Sequence, residues 1–270
     1  MGMSRRDFLI ASAAGLGTAA HAQSADKGEP SVSDRSDDQV YELRQYTLHR
    51  GQRDTLISIF EQNFIEPQNE LGAHVIGTFR DLDDPDRFVW IRGFQDMDTR
   101  QKALSSFYDG PVWHAKRAAA NATMLDSDNV LLLRPAEPGE GFRSEPAASG
   151  AADGIVGATI YYLGGVDSEQ FTRFFNEAEK SQLTASGVYP IARLVSEESP
   201  NTYTRLPIRE HDRVFVWFAR WPSVAAEEAF IAKARTVSGW RDSAPETVLP
   251  ALMRKPERLR LVPTTRSALR

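Results

Sequence analysis

The sequence predicts an α+β fold: two tandem βαββαβ units whose sheets face each other as a barrel-like pseudo-dimer within one chain. Three observations predict it. The stretch Gly77 to Phe94 reads as a β-hairpin, with β-forming ends and an Asp/Pro turn at Asp83-Asp84-Pro85-Asp86, and Asp212-Arg213-Val214-Phe215-Val216-Trp217-Phe218 repeats its second arm. Trp90 and Trp217 lie 127 residues apart, as do Trp113 and Trp240, which closely follow Gly110 and Gly239. The strands are also apolar on both faces. Phe88, Trp90 and Phe94 point one way and Val89 and Ile91 the other, while Val214, Val216 and Phe218 oppose Phe215, Trp217 and Trp221. A sheet with helices on one side and water on the other would alternate apolar with polar, so the second apolar face needs a cover, and the other unit supplies it.

Composition bounds the function. A chain of 270 residues has room for about two domains, and 41% hydrophobic with 26% charged residues is an ordinary globular composition. A net charge of −5 without a Lys/Arg cluster argues against a nucleic-acid partner. The absence of cysteine excludes disulfides, thiolate zinc sites, iron–sulfur clusters and covalent c-type haem.

Taken in order, residues 1–22 resemble a twin-arginine signal peptide. Arg5 and Arg6 precede an apolar run from Phe8 to Ala20, and Ala20-His21-Ala22 offers the small residues of a cleavage site. The run is too short and too poor in large apolar residues for a stable membrane span, so the mature chain is expected in the periplasm or outside the cell. Residues 23–38 are polar and rich in Ser, Asp and Gly, the composition of a disordered tether. The first unit, 39–135, opens with a strand from Val40 to Thr47. A helix with Leu56, Phe60 and Phe64 on one stripe follows, then the hairpin arms His74 to Arg80 and Arg87 to Phe94. Asp98 is the expected N-cap of a second helix bearing Leu104, Phe107 and Tyr108; Gly110-Pro111 breaks it and restarts a helical turn, and Val130 to Leu133 forms a short closing strand. Residues 136–153, rich in Ala, Gly, Ser, Glu and Pro, read as a linker. The second unit, 154–263, repeats the order with strands Ile155 to Leu163, Tyr189 to Ser196, Val214 to Trp221 and Leu259 to Val262. Asp167 caps its first helix, its second runs from Ser223 to about Arg235, and Ser199 to His211 is inserted in its hairpin; 264–270 is a tail. Strand-helix-strand-strand-helix-strand is the ferredoxin-like arrangement.

Four segments in order carry a family resemblance: Tyr41-Glu42-Leu43-Arg44-Gln45-Tyr46, the hairpin Phe79 to Trp90, Phe107-Tyr108-Asp109-Gly110-Pro111-Val112-Trp113, and Asn121-Ala122-Thr123-Met124 through Leu132. Residues 40–135 thereby resemble a NIPSNAP domain, and the second unit resembles it more weakly. The resemblance implies the dimeric α+β barrel superfamily, which also holds cofactor-free monooxygenases and haem-handling enzymes. It implies no reaction, since a shared fold leaves function to the site.

The candidate site residues follow from the pattern. Glu42, Arg44 and Tyr46 share one face of the first strand and, if that face turns into the barrel, need partners there, an Arg–Glu pair or an acidic ligand. His74 and His114 are the histidines placed for an axial haem ligand or a general base, although neither sits in a ligand motif. Trp113 and Arg117 share a helical face. Asp81, Asp83, Asp84 and Asp86 lack the glycine and terminal glutamate of a calcium loop and read as turn chemistry, so no metal is assigned. There is no phosphate loop, no Gly-x-Ser-x-Gly elbow and no metal pair at helical spacing. The expectation is an exported binding or interaction protein that takes a small apolar or aromatic ligand between its two sheets, with no cofactor assigned and homo-oligomerisation left open. The alternative is a cofactor-free oxygenase or a haem-handling enzyme, and the loop Ser199 to His211 is the candidate partner surface.

Overall fold

The computed structural model describes residues 38–143, 154–179, 183, 188–236 and 255–270. The expected signal peptide, residues 23–37 of the tether, and Gly239 and Trp240 lie outside them. The elements are β1 (Val40–Leu48), α1 (Arg53–Asn63), α2 (Ile65–Glu70), β2 (His74–Asp81), β3 (Arg87–Phe94), α3 (Met97–Tyr108), α4 (Pro111–Asn121) and β4 (Met124–Pro135) in the first half. The second half contributes β5 (Ile155–Tyr162), α5 (Ser168–Phe174) with a π-helical turn at Phe175–Glu179, β6 (Pro190–Ser196), β7 (Val214–Trp221), α6 (Val224–Thr236) and β8 (Glu257–Pro263).

These strands close into one antiparallel barrel in the order β1-β3-β2-β8-β5-β7-β6-β4. Each half forms an arc with its fourth, first, third and second strand side by side. The arcs join at two short seams, Phe79–Asp81 against Leu261–Pro263 and Leu133–Pro135 against Leu194–Ser196. Register relates the halves residue by residue: Val40 lies opposite Phe94 and Ile155 opposite Trp221, so β1 maps onto β5 at an offset of 115 and β3 onto β7 at 127. The offset of 127 continues into the helices. Asp96 accepts a hydrogen bond from Thr99 N at 2.7 Å, and Ser223, 127 residues on, accepts one from Ala226 N at 3.2 Å.

Period-2 alternation divides the strands between two layers. Tyr41, Leu43, Val89 and Ile91 face inward and meet Val156, Ala158, Ile160, Val214, Val216 and Phe218 in one buried cluster. Phe142, which follows β4, joins that cluster with its ring 5.0 Å from Phe218 and 5.6 Å from Tyr41, and Leu269 joins from the segment after β8. The space between the sheets, expected as a ligand cavity, is therefore packed with side chains, as in other small barrels. The outward face is covered by helices. In the first half Phe88, Trp90 and Phe94 pack with Leu56, Phe60, Leu104 and Phe107; in the second Phe215, Trp217 and Trp221 pack with Phe171, Phe174 and Phe175.

Several boundaries differ from the sequence expectation. The first helix breaks at Phe64 into α1 and α2. Asp96, not Asp98, is the N-cap of α3, because its extended backbone lets the carboxylate reach Thr99 N. β4 runs twelve residues rather than four. Its polar beginning pairs with the end of β1 through register shifts, a tertiary pairing that composition does not announce. The tail is not free: Thr264 N donates to Thr78 O at 2.9 Å and Leu269 N to Ile76 O at 2.8 Å, so it runs along β2. Asp38, at the end of the expected tether, is buried and holds His74 Nδ1 at 2.9 Å.

Candidate functional site

Glu42 sits in the middle of β1, a position that a β-strand would normally give to an apolar residue, and it is completely buried. β1 and β3 pair so that Glu42 lies opposite Arg92 and Arg44 opposite Trp90, which puts all four on the face turned towards the helices. The face left open by the sequence is thus the helix side; Tyr41 and Leu43 line the barrel interior.

Three guanidinium groups converge on the one carboxylate. Arg44 Nη1 donates to Glu42 Oε2 at 2.6 Å, Arg92 Nε to the same oxygen at 2.8 Å, and Arg100 Nε, arriving from α3, to Oε1 at 2.7 Å. All four side chains are at most 1% exposed. Arg44 Nε also donates to the Tyr46 hydroxyl at 2.9 Å, and Arg92 Nη1 to Gln68 Oε1 at 2.8 Å. The guanidinium of Arg44 lies 5.5 Å from the Trp90 ring and that of Arg92 5.0 Å from it, so the aromatic faces share in holding the positive charge. Charge remains in excess. Arg92 Nη2 is 2.6 Å from Glu42 Oε2 without hydrogen-bond alignment, and Arg100 Nη2 is buried with no hydrogen-bond partner.

The electrostatics follow from this geometry. Burial disfavours ionisation of Glu42, but the cations of Arg92, Arg44 and Arg100 more than offset it, and its carboxyl lies well below the usual carboxylate range. Burial pushes the Tyr46 hydroxyl up despite the neighbouring Arg44. Burial also draws the Arg100 guanidinium down, only partly countered by Glu42.

The remaining wall comes from the other half of the chain. The β6–β7 loop, expected as a partner-binding surface, crosses to the first half and lies over α3. Arg100 Nη1 donates to Asn201 Oδ1 at 3.0 Å and to Thr202 Oγ1 at 3.4 Å. The Tyr203 ring stacks on Tyr108 with centroids 5.9 Å apart and planes 23° apart, and Tyr203 is buried in the helix-side cluster of the first half. Arg205 pairs with Asp109 at 2.6 Å, and Arg209 N donates to Val130 O at 2.9 Å.

Of the residues singled out from the sequence, Glu42, Arg44 and Tyr46 meet in this cluster. Trp113 borders it through Tyr108, ring to ring at 4.8 Å. His74 is engaged by Asp38, while His114 and Arg117 are exposed on α4. Arg92, Arg100, Gln68, Asn201 and Tyr203 were not anticipated. Arg92 had a signal: it continues the apolar face Phe88, Trp90 and Phe94 on a strand otherwise buried on both sides. So did Arg100, which shares the helical stripe of Ala103, Leu104 and Phe107. Nothing local marks Asn201 or Tyr203, because their partners lie about a hundred residues away. The aspartates of the β2–β3 turn bond nearby backbone, Asp81 to Asp83 N and Asp84 to Asp86 N. Among the described residues no group of three or more His, Asp or Glu is arranged to hold a metal ion.

The second half does not repeat the cluster. By the offsets of 115 and 127, Glu42, Arg44, Arg92 and Arg100 correspond to Gly157, Thr159, Ala219 and Glu227. The Trp221 indole occupies the space: a Cβ on Gly157 would stand 2.6 Å from Trp221 Nε1. Glu227 is buried beside it with Oε2 unpartnered, and burial raises its carboxyl above the usual range against the pull of Arg260 and Arg258.

Residues 41–138 match the NIPSNAP family model. Two crystal structures share the fold over most of the chain. A "putative monooxygenase" from Lactobacillus acidophilus NCFM is 13% identical with a TM-score of 0.51, covering 84% of this chain and 94% of that one. A "putative monooxygenase" from Fusobacterium nucleatum subsp. nucleatum ATCC 25586 is 9% identical with a TM-score of 0.53, covering 84% and 92%. A NIPSNAP family protein of unknown function from Agrobacterium tumefaciens str. C58 is 21% identical and covers 37% of this chain and 89% of its own, at a TM-score of 0.34. Among curated proteins there is no match.

Proposed function

We propose that the chain is an exported NIPSNAP-like protein that binds a small ligand between the sheet and the helices of its first half. In this reading the two arcs are tandem ferredoxin-like units forming an intrachain pseudo-dimer, in which the first unit keeps the site and the second supplies its cover. The shared strand order and the constant register offsets support the tandem reading. One observation carries the ligand: three buried guanidinium groups surround a single carboxylate, leaving Arg100 Nη2 without a partner. Uncompensated buried cations are costly for folding alone, and a ligand that completes their coordination gives them a use.

Native mass spectrometry of the full chain, purified without denaturant, tests the reading. A retained small molecule that is released on acid unfolding supports it. Ligand-free protein in every preparation, together with no thermal shift across a chemically broad set of small molecules, sinks it.

A second reading is enzymatic, a cofactor-free oxygenase, with a haem-handling protein as its other form. The ring wall of Tyr46, Trp90 and Tyr108 beside buried cations favours the oxygenase form, because such cations stabilise the anion that an activated aromatic substrate forms before it meets oxygen. The two structural neighbours from Lactobacillus acidophilus and Fusobacterium nucleatum, each covering 84% of the chain, are described as "putative monooxygenase". Oxygen consumption with a hydroquinone substrate separates this from simple binding.

A further inference from the structure

Resting on the reading of the first half as a ligand site, we infer that the ligand is a small aromatic carboxylate and that Asn201, Thr202 and Tyr203 are its in-chain stand-in. The loop offers the site both parts of such a molecule. Asn201 Oδ1 and Thr202 Oγ1 take hydrogen bonds from Arg100 Nη1, as the two oxygens of a carboxylate would, and two residues on the Tyr203 ring stacks on Tyr108. The imitation is incomplete in one respect, which is charge. Both acceptors are neutral, and one formal negative charge, that of Glu42, faces Arg44, Arg92 and Arg100. A carboxylate replacing Asn201 on Arg100 would add the missing charge and give Arg100 Nη2 an acceptor, forming the paired contact that guanidinium and carboxylate favour.

The loop is suited to giving way. It is inserted in a hairpin whose counterpart in the first half is a tight turn, and two of its ion pairs, Arg205 with Asp109 and Arg213 with Glu198, are exposed, while a third, Arg209 with Asp212, is half-buried. Exposed pairs of this kind contribute little and are readily exchanged. The neutral acceptors cap Arg100 while the site is empty, and the ligand competes with them.

The test is isothermal titration of the full chain with benzoate, and separately with inorganic phosphate, at low ionic strength. Wild type, Asn201→Ala, Asn201→Asp and Arg100→Gln are compared, with circular dichroism confirming that each is folded. Asn201→Ala removes the competitor and should bind benzoate about tenfold more tightly than wild type. Asn201→Asp places the charge in the chain and should abolish binding; both variants lose the Asn201 Nδ2 bond to Leu206 O, and Asn201→Asp keeps the acceptor for Tyr203 N that Asn201→Ala removes. Arg100→Gln should also abolish binding. Benzoate binding equally to wild type and Asn201→Asp overturns the proposal, and so does phosphate binding with benzoate inert. No binding of either anion to wild type and Asn201→Ala overturns it too. If native mass spectrometry nevertheless finds a retained neutral molecule, the ligand reading survives without the carboxylate; ligand-free protein together with no thermal shift from the broader set removes both readings.

Discussion

Arg100 and Glu227 occupy the same place in the two halves, each four residues beyond the residue that caps its helix, and they carry opposite charge. Arg100 finds Glu42 on the strand beneath it, whereas Glu227 finds Gly157, Trp221 and no hydrogen-bond partner for Oε2. The folded-state pKa of Glu227 is raised, so the stability linked to its protonated form is present below the ordinary carboxylate range and lost as pH rises through the folded value. Glu227→Gln should leave urea stability unchanged at pH 4 and increase it at pH 8. Equal effects at both pH values would show that the carboxyl is not desolvated.

Glu42 has the opposite linkage. Its pKa is depressed, so its contribution is present above the unfolded value of about 4.3 and is lost as pH falls from there towards the folded value. Glu42→Gln strands three buried cations and should cost about 3–5 kcal/mol at pH 7. The deficit relative to wild type should shrink in denaturant titrations below about pH 4, where the unfolded wild-type chain takes up a proton that folded Glu42 does not.

Tyr203 fastens the loop to a half of the molecule that it does not belong to. Tyr203→Ala should cost about 2–3 kcal/mol, near the low end for a buried aromatic. It should also speed limited trypsin cleavage after Arg205 and Arg209, which flank the lost contact. A cleavage pattern identical to wild type would mean that the ion pairs alone hold the loop down.

The barrel makes each half depend on the other. A fragment from Gln39 to Pro135 would expose the edges of β2 and β4 together with Tyr41, Leu43, Val89 and Ile91, so it should self-associate or aggregate in sedimentation velocity runs. In the full chain, Phe88→Asp on the helix side and Val216→Asp on the barrel side should each cost about 4 kcal/mol or more, because both residues are fully buried. A monomeric, fully stable fragment would leave the halves independent.

The proposed export rests on the sequence of the first 22 residues. Arg5→Lys combined with Arg6→Lys should retain the precursor in the cytoplasm, read by fractionation and immunoblot, while the thermal stability of the folded part stays unchanged. Periplasmic arrival of the double variant would refute the twin-arginine reading.

The sheet was largely legible because its signal is periodic. Alternation in Arg87–Phe94 and Val214–Trp221 identified two buried faces and hence the need for a second sheet. The site was legible in half. Glu42, Arg44 and Tyr46 declared themselves as polar residues on a strand face, but which layer they entered depended on β1 pairing with β3, which alternation cannot choose. Arg92 and Arg100 were visible as charges on apolar stripes and passed over. Asn201 and Tyr203 were not legible at all, since a loop's destination is set by the tertiary arrangement and its own composition names no partner.

The position of β8 between β2 and β5 has a consequence for how the molecule is made. The ring cannot close until residues 257–263 are available, and Leu269 then enters the barrel beside Ile76, almost two hundred residues earlier in the chain. During synthesis the first arc therefore waits with the β2 edge unpaired until residues 257–263 have been made, a period in which a chaperone or a second nascent chain competes for that edge.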